Sequence, residues 1–392
     1  MTLLDGARVT DVHCHGFRLD EVRARDQEGF LDRITMLGMC LTSSGLADEA
    51  FAEVVTRTTD TSPFAVAMAI RLARMLGCEP TREGLARGRT AALGDALPYL
   101  QNLWDDAGVA GLIVDDGYPL PAVDQKQLSR ETGLPISRVS RIEPFITELR
   151  DEASSYAELE DAFTARTEQA LADGAVAFKS VIAYRTGLDV RPWSRSECEE
   201  AFRAWRANGW PETREHAKPV RDMLLRRTLA VSAGGGGVPV HVHCGGGDPS
   251  IVLAYARPSH IFPLLHEHVR QPIVLIHSGW PWVEEGAFVA SILPHVYLDT
   301  SLSTPLASVA VDNRLELLLG IAPPAKVLYG SDESTEPEVI WLSAVLARES
   351  LERVLGRSIE NGYLDEQRAA LIGCGVLGDN ARRLHGVEAM VA

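Results

Sequence analysis

Lysine is scarce in this chain. Only four of its 38 basic residues are lysine (Lys126, Lys179, Lys218 and Lys326), so each raises the question of a specific task. The six cysteines, at 14, 40, 78, 198, 244 and 374, form no CxxC pair, which removes support for a zinc ribbon or a dithiol redox motif and leaves buried free thiols as the expectation. No apolar run approaches the ~20 residues of a membrane span. The opening MTLLDGARVTDVHCHG lacks a basic segment followed by an apolar one, so a cytoplasmic, soluble protein is expected. Nor is there a basic block. With 54 acidic residues against 38 basic ones, the net charge of -16 disfavours nucleic acid and anionic membrane as partners.

What is present is a recurring pattern. Short Val-, Ile- and Leu-rich runs at 7–15, 109–117, 137–145, 174–183, 238–245, 272–279, 295–301 and 326–332 read as buried strands. Each ends in Gly, Ser, Asp, His or a similar punctuating segment, and helix-like stretches such as 153–173 and 259–270 lie between them. Alternation of this kind predicts an α/β fold, and eight strands predict a closed (β/α)8 TIM barrel. Residues 18–103 are too long for a plain connection and are expected as a helical insertion after strand 1, within a single domain spanning 1–392. Residues 379–385 are expected to close the tail against the barrel.

Candidate chemistry collects at the strand ends. His13 and His15 are two apart and so share one face of strand 1. Strand 5 ends in His241 and His243, strand 6 in His277, and strand 8 in Asp332. Strand 4 carries Lys179 beside Val176, Ala177 and Phe178, surroundings that lower an amine pKa. In a (β/α)8 barrel these C-terminal strand ends form the active face, and imidazoles with a carboxylate suit zinc, manganese or iron. Around them, Asp116, Arg141, Glu143, Tyr184, Arg185 and Asp248 are candidate substrate contacts, Arg141 and Glu143 being placed on strand 3. Arg141, Arg185 or Arg257 could bind a carboxylate bidentately.

In this order, His13 and His15, Lys179, His243, His277 and Asp332 resemble the amidohydrolase superfamily. The segments AFKSVIAYRTGLD (177–189), HVHCGGGDP (241–249) and GDNARRLHG (378–386) bring it closest to the amidohydrolase-2, FluG-like branch. That resemblance implies a metal-dependent hydrolase of an amide-type C–N bond that uses a metal-activated water, with a decarboxylase holding one metal as the alternative. It implies His13, His15, Lys179, His243, His277 and Asp332 as metal ligands and Asp332 and His277 as catalytic residues. His241 is then a hydrogen-bonded neighbour one layer deeper. One or two divalent ions are implied, zinc before manganese or iron. Two would need Lys179 as a carbamate; one would leave His277 free for acid–base work. Pairing of Lys179 with Glu143, or direct substrate contact, is the other option. The implied partner is a small molecule such as an amino-acid amide or another carboxylate-bearing compound, and a homodimer is the candidate assembly.

Overall fold

The computed structural model describes residues 2–43 and 49–388. Eight parallel strands lie in sequence order in one sheet: β1 (Val9–His15), β2 (Val109–Asp115), β3 (Ile136–Arg141), β4 (Ala177–Ser180), β5 (Val240–His243), β6 (Ile273–Ile276), β7 (Val296–Asp299) and β8 (Val327–Leu328). The chain just past β8 closes the circle. Val12 N–H donates to Tyr329 O at 2.9 Å, Asp332 N–H to His13 O at 2.8 Å, and His15 N–H to Glu333 O at 2.6 Å. The fold is therefore the (β/α)8 barrel.

Strand alternation sorts the side chains into two cores. Val12, Ile113, Val139, Ala177, Val274, Ile276 and Leu328 fill the barrel interior, and Ala381 from the helix Asn380–His385 plugs its lower end. Leu112, Val114, Phe178, Val240, Val242 and Leu275 point outward and pack beneath the surrounding helices. The plug is tied by backbone contacts. Arg382 Nη1 donates to Arg8 O and Thr10 Oγ1, and Asn380 Nδ2 donates to Val327 O at 3.0 Å.

Every strand is shorter than its expected run, the third and eighth most tellingly. The third stops at Arg141 because Ile142–Arg150 is a helix, with Pro144 tolerated in its first turn, where an amide hydrogen has no intrahelical acceptor. Glu143 is thus helical, not on the strand. The eighth is reduced to two residues, Val327–Leu328, and the chain beyond it runs along β1 to a turn at Asp332, whose φ is +65°.

Helices occupy the segment after β1: Leu19–Ala24, Phe30–Arg33, Met36–Ser43, Glu49–Thr59, Pro63–Leu76, Arg82–Gly94 and Ala96–Ala107. The last packs on β2 and on the long helix Pro337–Glu360, so it is the barrel's own crossover rather than part of an excursion. The earliest helices reach the C-terminal mouth, where Arg25, Arg33, Met36 and Met39 line a cavity. Among the described residues no helix is long and apolar enough to cross a membrane.

Candidate metal centre

Parity along the strands carries the side chains of the site inward. Two residues beyond interior Val139 is Arg141, and two beyond Ala177 is Lys179; His243 likewise follows His241 on the inner face of β5. β1 reaches the same end after a register irregularity between Asp11 and Cys14. His277 breaks the rule, since it directly follows interior Ile276. Its φ of +66° turns the chain, and Ser278 follows at +51°. Asp332 also has positive φ. Both residues chosen from sequence as catalytic therefore sit in the left-handed region, which a non-glycine residue occupies only when its surroundings hold it there.

The result is a tight group at the floor of a cavity of about 510 Å3. His13 Nε2 lies 3.1 Å from Asp332 Oδ1, and His15 Nε2 lies 3.5 Å from the same oxygen. His277 Nε2 is 4.0 Å from Asp332 Oδ2 and 3.2 Å from His243 Nδ1. Lys179 Nζ is 3.0 Å from His13 Nε2. Two groups of donor atoms are close enough to share one ion: His13, His277 and Asp332, and His13, His15 and Asp115. His243 lies outside both, with Nε2 set 3.1 Å from Gly246 O. His241 is below, its Nε2 2.8 Å from His385 Nε2.

Burial holds His13, His243 and His277 neutral. Desolvation, with Lys179 nearby, lowers the pKa of His13 and takes His243 down to about 3; desolvation also outweighs the Asp332 carboxylate in lowering that of His277. Burial alone would raise Asp332, yet His277, His15 and Lys179 together hold it below the usual carboxylate range. Desolvation lowers Lys179 to about 8, against the opposing pull of Asp115. Among the described residues Lys179 forms no ion pair. His13 Nδ1 is buried with no hydrogen-bond partner. Neutral imidazoles around an ionised carboxylate are the donor chemistry of a zinc-type ion, so the residues present fit one.

The surroundings orient this group. Ser301 Oγ lies 2.9 Å from His277 Nδ1, and Asp299 accepts the His277 amide hydrogen, so Nε2 is presented to the cavity. Asp115, fully buried at the end of β2, accepts hydrogen bonds from the Arg141 guanidinium and lies 3.9 Å from His15 Nδ1.

Of the expected substrate contacts, Arg141, Tyr184, Arg185 and Asp248 line the cavity. The Tyr184 hydroxyl accepts the Asp248 amide hydrogen at 3.1 Å, and a Cβ at Gly247 would overlap that hydroxyl, which requires glycine there. Asp116 and Glu143 do not reach the cavity. Asp116 accepts from Ser140 Oγ and the Arg141 amide, tying β2 to β3 from outside the barrel. Glu143 Oε1 accepts from Ser180 Oγ and the Val181 amide, both at 2.8 Å, and so braces the end of β4 instead of pairing with Lys179. Arg257 is an exposed partner of Glu285. Sequence reading passed over Asp115, although parity from Ile113 pointed to it. It also passed over Asp299 and Ser301, and over Arg25, Arg33, Met36 and Met39 on the cavity wall.

With this geometry in place, the comparisons with known proteins are informative. The amidohydrolase family profile matches residues 151–387, and the chain belongs to that family. Protein fluG of Emericella nidulans is 33% identical over 233 residues, which cover 57% of this chain and 27% of fluG, so the match spans about a quarter of that relative. Among solved structures, a Lactobacillus casei protein assigned as a metal-dependent hydrolase aligns with a TM-score of 0.82 at 22% identity, over 98% of this chain and 97% of that one. Uronate isomerase of Thermotoga maritima aligns with a TM-score of 0.72 at 14% identity, over 97% and 96%. At such identities these two likenesses speak for the fold.

Proposed function

We propose that the chain is a metal-dependent hydrolase that cleaves an amide-type C–N bond in a small, carboxylate-bearing molecule. The observation that supports it is that His13 Nε2 and His15 Nε2 lie 3.1 and 3.5 Å from Asp332 Oδ1, beside a buried Lys179, at the C-terminal mouth of the barrel. In this reading residues 1–392 work as one domain, with the helices that follow β1, up to the crossover helix Ala96–Ala107, inserted over the mouth. Zinc, or else manganese or iron, would be held by His13, His15 and Asp332, with Lys179, His243 and His277 around it. Such an ion supplies Lewis acidity, polarising a carbonyl and lowering the pKa of water.

The chain's own groups do the rest. Asp332 is ionised at neutral pH, and its Oδ2 faces His277; it accepts a proton from the attacking water and returns it to the leaving nitrogen. His277, fixed through Ser301 and Asp299, offers Nε2 to the oxygen on which negative charge develops. Arg185 lines the cavity and, among the described residues, forms no ion pair, so its guanidinium is free to take a substrate carboxylate. Met36, Met39 and Phe17 supply an apolar wall for the rest of the molecule. Should a second ion bind, Lys179, whose pKa burial lowers to about 8, has neutral amine to react with carbon dioxide, giving a carbamate and a released proton, and His277 would then be a ligand instead. A decarboxylase has less use for such a lysine. The buried thiols of Cys14, Cys198 and Cys244 accord with a cytoplasmic setting.

The test is metal analysis of purified protein, followed by a screen of N-acyl and γ-glutamyl amides for amine release. Stoichiometric metal with amine release is expected. Carbon dioxide release from a carboxylate substrate would make it the decarboxylase, and absence of stoichiometric metal would remove the catalytic reading.

A further inference from the structure

The turn that carries Asp332 is strained at φ +65°, so something must hold it. Behind it, backbone bonds fasten it to β1. In front, Glu333 Oε1 accepts the amide hydrogens of Thr335 and Glu336, the latter at 2.6 Å. Glu336 ends the turn and precedes the helix Pro337–Glu360. Its carboxylate and that of Glu338 are fully buried. Two buried like charges this close in sequence repel and are poorly solvated, so they need cations.

Those cations come from the segment after β1. Arg89, on the helix Arg82–Gly94 and itself fully buried, donates from Nε to Glu338 Oε1 and from Nη2 to Glu336 Oε2, each at 2.8 Å. Its guanidinium lies 3.8 Å from the Phe30 ring centroid. Arg33 Nε donates to Glu336 Oε1 at 2.8 Å, Arg25 Nη1 donates to Thr335 O at 2.6 Å, and the Tyr99 hydroxyl donates to Glu338 Oε1. Arg25 and Arg33 also line the cavity, whereas Arg89 does not.

We infer that Arg89 is a positioning residue for Asp332: by holding Glu336 and Glu338 it locks the 332–336 turn in its strained form and keeps the carboxylate facing His13 and His15. The helices over the mouth thus act on the site through charge as well as by walling it. Without the arginine the two carboxylates draw apart or take up water, Glu336 loosens, and Asp332 can relax to negative φ, moving its carboxylate away from the histidines. The inference uses the metal reading proposed above only for its second readout.

The experiment compares wild type, Arg89→Met and Arg89→Lys. Hydrogen–deuterium exchange is measured on metal-free protein, and Co2+ affinity and d–d spectrum are measured per folded molecule. For Arg89→Met the expectation is at least tenfold faster exchange at the Asp332 and Glu336 amides, with the amides of β4 and β5 unchanged. Co2+ binding should be about tenfold weaker, with an altered spectrum. Arg89→Lys keeps the charge and should recover part of both. Wild-type exchange and wild-type Co2+ binding in folded Arg89→Met would overturn the inference. So would a uniform rise in exchange over all strands, which marks general loosening. If Arg89→Met does not fold, Arg89→Lys decides: exchange at 332–336 equal to wild type overturns the inference. If wild type itself binds no Co2+, the metal reading fails, and the exchange result still decides the role of Arg89.

Discussion

Two histidine pairs, one at each end of the barrel, differ in what surrounds them. The upper pair is His243 with His277, at 3.2 Å; the lower is His241 with His385, at 2.8 Å. His243 and His241 are two residues apart on β5, and both pairs are buried. The lower pair is sealed by the plug helix, with His385 Nδ1 set 2.8 Å from Ala381 O. The upper pair opens on a cavity, and its His277 faces Asp332 and stands on backbone at positive φ. On the proposed reading, the same residue type in the same strand is structural or chemical according to its depth. A carboxylate, a cavity and stored strain distinguish the end where reaction is expected.

The sharpest way to break this comparison is to remove ligands at each end. His13→Ala with His15→Ala should abolish stoichiometric metal and turnover, whereas His241→Asn should retain metal. Elemental analysis of both proteins is the check. Full occupancy in the double variant would remove the upper end's claim.

Asp332→Asn should come next in size. The amide preserves shape and some ligating capacity but cannot take the proton, so turnover should fall ~10²–10⁴-fold while metal is partly kept. Steady-state rates with metal content measured on the same sample decide it. Near-normal turnover would mean that another group accepts the proton.

Lys179 sharpens the charge side of the comparison. His13, His15, His243 and His277 would be neutral ligands, and the charge of Asp115 is already answered by the Arg141 guanidinium, so Asp332 alone would leave two adjacent divalent ions poorly neutralised, and a carbamate adds the missing charge. If the wild-type metal-to-protein ratio is two and depends on bicarbonate, Lys179→Met should lower it to one and abolish that response; a wild-type ratio of one goes with an unmodified lysine and a free His277. Two full sites beside an unmodified lysine would contradict the argument, since Glu143 is committed to Ser180 and Val181 and cannot bridge in its place.

Much of this upper end was legible because barrel strands obey a period of two. His13, His15, Lys179 and His243 follow from strand ends and alternation, and the plug at 379–385 from its position after the last strand. Asp115 was legible in principle: Ile113 faces inward, so residue 115 does too, and Asp116 faces out. Its neighbour was chosen because the run was read two residues too long, to 117 where the strand ends at Asp115. Glu143 was misplaced for a similar reason, since apolar residues continue smoothly from strand into helix. What could not be read is the Arg89 pairing. It joins residues 247 positions apart, and nothing local distinguishes that arginine from a surface one.

The lower pair predicts an acid limb in stability. Burial takes His385 from 6.5 down to about 4, so the unfolded chain binds its proton first as pH falls. Its contribution is fully present above pH 6.5 and is lost as pH falls towards 4, up to about 3 kcal/mol by linkage. His385→Gln should cost stability at pH 8 but flatten the decline between pH 6.5 and 4. Urea unfolding at several pH values measures both, and an unchanged slope would assign the acid limb to the other buried histidines.

The smallest effect is expected at Asp116, the carboxylate on the outer face of β2. It accepts from Ser140 Oγ at 3.1 Å and from the Arg141 amide at 2.9 Å. Asn at this position keeps one acceptor oxygen, so Asp116→Asn should cost about 1 kcal/mol of stability, the scale of one hydrogen bond. Because the side chain does not enter the cavity, turnover should change by less than about twofold. Asp115→Asn, one residue earlier and facing inward, is the internal control. It leaves the Arg141 guanidinium short of its buried carboxylate beside His15, and so should lower turnover far more. If the two variants behaved alike, depth and parity on a barrel strand would not be what separates a bracing carboxylate from one that serves the site.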